Sequence, residues 1–145
     1  MTDQQIKDAI RSFCKAWTSG DIKQALALFT NDSVWVTPQG TFKGLAPIEK
    51  YATWVYSGNK GFKITENGIG IIVQGDNAAI EHDVSGTMNG KKWITPASCA
   101  WEFRGGKVAR IRTFYDVLSQ AQQVAKGPAK IAVNAVVSAS QKGLS

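Results

Sequence analysis

Between Ala78 and Asp116 apolar and polar side chains alternate with a period of two, and two tight-turn signals interrupt the alternation. Successive strand side chains point to opposite faces, so the pattern predicts three consecutive antiparallel strands, each half buried. Asn89-Gly90 separates the first two runs. A two-residue type I′ turn there requires positive φ at both positions, which Asn and Gly tolerate. That turn pairs Met88 with Lys91, His82 with Ala97 and Ile80 with Cys99. Gly105-Gly106-Lys107 makes the next reversal, and a three-residue loop ending in a glycine-type bulge pairs Arg104 with Val108 and Cys99 with Thr113. One face then carries Ile80, His82, Val84, Ala97, Cys99, Trp101, Phe103, Ala109, Ile111, Thr113 and Tyr115. The other carries Glu81, Asp83, Ser85, Lys92, Glu102, Arg104, Arg110 and Arg112, with the acids placed to pair with Arg110 and Arg112 across strands. The apolar set is the buried, concave face. A two-residue turn at Gly105-Gly106 would instead bring Arg110 and Arg112 inward, and Pro96 predicts a local bulge.

Upstream the period changes to that of helices. Ile6, Ala9, Ile10, Phe13 and Trp17 recur at helical spacing behind a Thr2/Gln5 capping box, and Gly20 ends the helix. Asp21 caps a second helix through about Phe29. Ser33 to Thr37 reads as a short strand, turned by Pro38-Gln39-Gly40 into Thr41-Phe42-Lys43. Pro47 suits the first turn of a third helix, whose buried stripe is Ile48, Tyr51, Ala52 and Val55 and whose stop is Gly58. Phe62 to Val73 is a long strand bent at Gly68 and Gly70, and Gly75-Asp76-Asn77 turns into the three-strand unit. After Asp116, Val117 to Ala125 reads as helix, and Gly127-Pro128 breaks it. Ala129 to Ser140 is Ala/Val-rich, with no charge between Lys130 and Lys142, so it is expected to bury on the cone, the sheet or a partner chain.

The 145 residues suit one core, with 43% apolar and 19% charged residues. The N-terminus lacks a signal-peptide pattern and no run approaches a membrane span. Cys14 and Cys99 lack metal-type spacing and read as reduced thiols of a cytoplasmic protein. The net charge of +6 is scattered singly without a recognition motif, which argues against a nucleic-acid partner. No phosphate loop, zinc signature or dinucleotide fingerprint occurs, so no cofactor is expected.

Taken in order, these elements build an α+β fold: a curved, mostly antiparallel sheet wrapped around three N-terminal helices to form a cone with an internal pocket. Residues 1–120 form the cone and 121–145 a C-terminal helical extension. The stretches Phe13 to Gly44 (FCKAWTSGDIKQALALFTNDSVWVTPQGTFKG) and Gly105 to Asp116 (GGKVARIRTFYD) resemble the nuclear transport factor 2-like superfamily, in its SnoaL-like, ketosteroid-isomerase-like branch. The resemblance implies a cone, a homodimer through the outer sheet face, and activities that range over isomerases, cyclases, dehydratases, hydrolases and non-enzymes. Carried over by position, the tyrosine donor, aspartate base and protonated aspartate of a ketosteroid isomerase fall on Phe13, Thr37 and Cys99. The Asp–Arg–Asp set of a limonene-type epoxide hydrolase falls on Thr113, Ile80 and His82. Neither catalytic set is present.

His82 is the only histidine, and face assignment and resemblance both put it inside. It is the candidate general acid/base; the other reading is a core histidine satisfied by a neighbouring hydroxyl. Candidate ligand-lining residues are Phe13, Trp17, Trp35, Thr37, Tyr51, Trp54, Val84, Ala97, Cys99, Trp101, Thr113 and Tyr115, although aromatic stripes also serve simply as core. Two functions follow. One is an enzyme working by acid–base chemistry at His82 on a small apolar molecule, and the other a non-catalytic binding or dimerisation domain.

Overall fold

In the computed structural model, which describes residues 1–144, one six-stranded sheet curls around the N-terminal helices. Helix α1 (Asp3–Ser19) starts at a complete Thr2/Gln5 capping box and stops at Gly20, whose φ of 76° is left-handed. Its stripe of Ile6, Ile10, Phe13, Ala16 and Trp17 is buried, chiefly on the sheet. Helix α2 (Ile22–Leu26) is shorter than its sequence predicts, because Phe29 already opens β1 (Phe29–Thr37). There the Val108 amide donates to the Leu28 carbonyl, so sheet pairing overrides the local helical pattern. Strand β2 (Gly40–Lys43) returns along β1 through the Pro38-Gln39 turn, and α3 (Leu45–Gly58) buries Ile48, Tyr51, Ala52 and Val55.

Four long strands follow: β3 (Lys60–Gln74), β4 (Asn77–Met88), β5 (Lys91–Arg104) and β6 (Lys107–Tyr115). The sheet order is β2-β1-β6-β5-β4-β3, and only β1 and β6 run parallel. Register slips between Glu66 and Ile71, where Gly68 and Gly70 take positive φ, and β3 bends there as expected.

The Asn89-Gly90 turn has positive φ at both residues and delivers the expected pairs Met88–Lys91, His82–Ala97 and Ile80–Cys99. The next reversal is different in detail. Gly105-Gly106 is a two-residue turn pairing Arg104 with Lys107 rather than Val108. One residue, Ala109, is then accommodated as a bulge opposite Glu102 and Phe103, which restores the Cys99–Thr113 pair. Ile111 is therefore fully buried, and Arg110 and Arg112 stay on the outer face, paired in register with Glu102 and Ala100. Pro96 makes no bulge, since β4 and β5 stay in continuous register through Asp83–Pro96. Strand β6 ends opposite Ala97, so Pro96 lies just past the stretch where β5 has neighbours on both sides. The expected cross-strand ion pairs are also rearranged: Arg112 binds Glu102 at 2.6 Å, while Glu81 accepts from the Ile69 amide at 3.0 Å.

Helix α4 (Val117–Val124), capped by Asp116, takes over where β6 stops. Its Gln123 side chain accepts from the Ile94 amide at 3.0 Å and donates to the Ile94 carbonyl at 2.9 Å. That amide thus satisfies the free edge of β5 as a strand would. Val124 packs with Val84, Trp93 and Ala97. Helix α5 (Gly127–Ser140) buries none of its residues; its expected burial does not occur within the chain.

Candidate functional site

The alternation along β4, β5 and β6 aims His82, Cys99, Trp101, Thr113 and Tyr115 into the concave face, and α1 and α3 close it with Phe13, Trp17, Tyr51 and Trp54. Between them lies a cavity of about 90 Å³, well above the roughly 10–15 Å³ one water occupies. His82, Phe13, Trp17, Trp35, Tyr51, Trp54, Val84, Cys99, Trp101, Thr113 and Tyr115 all line it. No lysine, arginine, aspartate or glutamate does.

A chain of polar contacts crosses four strands, β1, β6, β5 and β4, at the centre of the wall. The Trp35 indole donates to Thr113 Oγ1 at 2.8 Å, Thr113 Oγ1 lies 3.2 Å from Cys99 Sγ, and Cys99 Sγ lies 4.0 Å from His82 Nε2. His82 is 3% exposed, and its Nδ1 has no protein partner; neither has the Trp101 indole N–H. Unpaired buried polar groups are uncommon, because each forfeits its hydration, about 1–3 kcal/mol.

Burial dominates the electrostatics. Desolvation depresses the His82 pKa, against weaker opposing effects of the Ile80 backbone and the Asp83 charge, so the imidazole is neutral at neutral pH. The same desolvation pushes the Cys99 and Cys14 thiols up to about 12, leaving both protonated and non-nucleophilic. Tyr51 and Tyr115 are raised by burial as well. At the rim Gln39, from the β1–β2 turn, donates to Tyr115 Oη at 2.6 Å and accepts from Tyr51 Oη at 3.5 Å. No group of three or more metal-ligating side chains occurs among the described residues.

Residues 10–111 match the SnoaL-like domain family, more than half of the chain. The chain belongs to the SnoaL-like domain family. Solved structures agree on the fold. A protein with a ketosteroid isomerase-like fold from Catenulispora acidiphila, in complex with trimethylamine, superposes with a TM-score of 0.76 at 21% identity, covering 84% of this chain and 95% of its own. A protein from Xanthomonas campestris, provisionally named a polyketide cyclase, gives 0.77 at 18% identity over 84% and 98%. TerC, co-crystallised with polyporic acid, gives 0.73 at 22% over 81% and 95%. No curated protein matches the chain in sequence.

Within this SnoaL-like cone, two expected lining residues stand elsewhere. The Thr37 hydroxyl accepts from the Gln39 amide at 3.1 Å inside the β1–β2 turn. Ala97 packs against Val84, Trp93 and Val124. Sequence reasoning also missed wall residues, notably Trp93, Gln39 and Asn59. Trp93 was findable: it shares the alternation of Ala97, Cys99 and Trp101. Its indole donates to Asn59 Oδ1 at 3.0 Å, which ties the end of α3 to the sheet. Gln39 carries no such signal, because a turn side chain has no face to follow.

The depressed His82 pKa makes a stability prediction. Between the folded and the ordinary imidazole value, about 6.5, the unfolded chain binds the proton that the folded chain does not. Stability is then fully present above about pH 6.5 and declines as pH falls through that window. In urea titrations the acid-side decline should be smaller for His82→Gln than for wild type; identical profiles would mean His82 is hydrated and unshifted.

Proposed function

We propose that the protein takes a small, uncharged, largely apolar molecule into the cone and acts on it by general acid–base chemistry at His82. The observation that carries this reading is a neutral imidazole with an unpaired Nδ1 in the wall of an aromatic cavity with no carboxylate or cation. Polar groups of that cavity are satisfied in turn if Thr113 donates to Cys99 and the thiol donates to His82 Nε2. The imidazole then carries its proton on Nδ1, which together with the Trp101 N–H leaves two donors for an acceptor oxygen on the ligand. The reaction is of the cofactor-independent isomerase, cyclase, dehydratase or hydrolase type. Ketosteroid isomerisation and limonene-type epoxide hydrolysis by their known catalytic sets do not apply, since Phe13, Thr37 and Cys99, and Thr113 and Ile80, replace the required groups. Two solved structures of the same fold hold small molecules, which supports small-molecule binding.

A second reading, ligand binding without catalysis, is favoured by the lack of any carboxylate partner for His82 on the cavity wall. Indole fluorescence decides the first point, because Trp17, Trp35, Trp93 and Trp101 surround the cavity. A panel of neutral carbonyl compounds and their carboxylate analogues should quench it with a preference of at least about tenfold for the neutral members. Preference for the anions would overturn the proposal. Mass spectrometry of the bound neutral compounds then separates turnover from binding.

The same proposal includes a homodimer through the outer sheet face, where Ile72, Ile94 and Phe114 are each more than half exposed. Cytoplasmic residence completes it, supported by two free thiols. No helix among the described residues is long and apolar enough to cross a membrane.

A further inference from the structure

Helix α5 is fourteen residues of GPAKIAVNAVVSAS, and it packs chiefly on α4. Ile131 is 73% exposed and Val136 55%. A helix of this length is marginal in water unless an apolar face is covered. From Val117 onward the chain has no acidic residue, while Lys126, Lys130 and Lys142 punctuate the segment. The solved relatives are covered almost end to end by about 84% of this chain, so roughly a sixth of it goes beyond their fold.

A complementary surface exists on the same molecule. On the outer sheet face Ile72, Ile94 and Phe114 stand opposite Ala79, Ser85 and Ser98, and a shallow groove runs past Ile69, Pro96 and Phe114. Glu81 borders that groove, and Asp83 lies next to it in register with Pro96. Neither acid is ion-paired among the described residues. Fourteen helical residues span about 21 Å, enough to cross the roughly 14 Å from β3 to β6.

We propose that α5 is an exchanged arm: in a dimer of this chain, each α5 lies across the outer sheet face of the other copy. Ile131 and Val136 cover the Ile94–Phe114 patch, and a lysine at one end of the arm, Lys126 or Lys142, faces Glu81 and Asp83, while Lys130 keeps its bond to the Gln122 carbonyl. Two-fold symmetry makes the exchange reciprocal, so both unpartnered apolar surfaces of each copy are covered at once. The inference rests on the outer-face dimer proposed above and adds the element that secures it.

The test uses full-length protein. Light scattering should give a dimer at micromolar concentration, and Ile131→Glu/Val136→Glu and Phe114→Glu should each raise its dissociation constant at least tenfold. Both variants should keep the wild-type circular dichroism of the cone. In an equal mixture of ¹⁴N- and ¹⁵N-labelled wild type, carbodiimide should join Lys126 or Lys142 to Glu81 or Asp83 between differently labelled copies. A dimer broken by Phe114→Glu but untouched by the double arm variant retains the sheet-face dimer and removes the arm. Cross-links confined to one label show α5 folded onto its own sheet and overturn the exchange. A monomeric wild type overturns both.

Discussion

Replacing His82 with glutamine lowers turnover of the cavity's substrate about 10²- to 10⁴-fold, the usual contribution of a positioned acid–base group. Glutamine preserves most of the imidazole's volume and its hydrogen-bonding capacity but cannot accept and return a proton near neutrality. Structurally the change is mild. His82 makes one long sulfur contact to Cys99 and leaves Nδ1 unpaired, so no strong hydrogen bond is lost. Unfolding free energy at pH 7 should therefore move by less than about 1.5 kcal/mol, and ligand binding by less than tenfold. Thr113→Val supplies the contrast. It orphans the Trp35 indole N–H and cuts the chain to Cys99, so it perturbs fold and imidazole orientation together. Single-turnover mass spectrometry on ligands found by fluorescence reads the result. Wild-type turnover by His82→Gln would remove His82 from the chemistry, whereas no turnover by either protein would leave the binding-only reading.

The direction of His82 was legible because a single turn sets the whole β4–β5 register. Asn89-Gly90 accommodates positive φ at both positions, and a two-residue loop leaves one pairing frame. Gly105-Gly106 was harder, since glycine fits two- and three-residue loops alike. The chain takes the shorter loop and recovers the inward frame with a bulge at Ala109, so the pocket face was right although the turn was not. Thr37 and Ala97 mark another limit. Strand alternation assigns a face, but the cavity occupies only part of that face, and how much is decided by helices packed across it. Phe29 shows local pattern yielding to a distant partner, because only the fold brings Val108 beside Leu28. The fate of α5 was illegible for a related reason: apolar composition says that a segment needs cover but not what supplies it.

Trp101→Ala should destabilise the protein by about 3–5 kcal/mol, a large part of a domain's usual stability. Trp101 is 2% exposed, meets Phe13 edge-on at a centroid distance of 5.0 Å and stacks on Phe103 at 6.3 Å. It therefore joins the floor of the cavity to α1, and truncation enlarges the cavity into the main core. Trp101→Phe separates packing from polarity. It keeps an aromatic ring against Phe13 and removes the unpaired indole N–H, whose desolvation opposes folding by about 1–3 kcal/mol. Lost contact area and regained desolvation then offset one another, and the net change should stay within about 1.5 kcal/mol. If the N–H is instead held for a ligand, Trp101→Phe weakens binding of neutral carbonyl compounds several-fold while leaving purely hydrocarbon ligands unaffected. Urea denaturation and fluorescence titration of the two variants measure both effects. A Trp101→Phe protein as unstable as Trp101→Ala would show that the indole N–H has a partner and that the cavity offers its ligand one donor fewer.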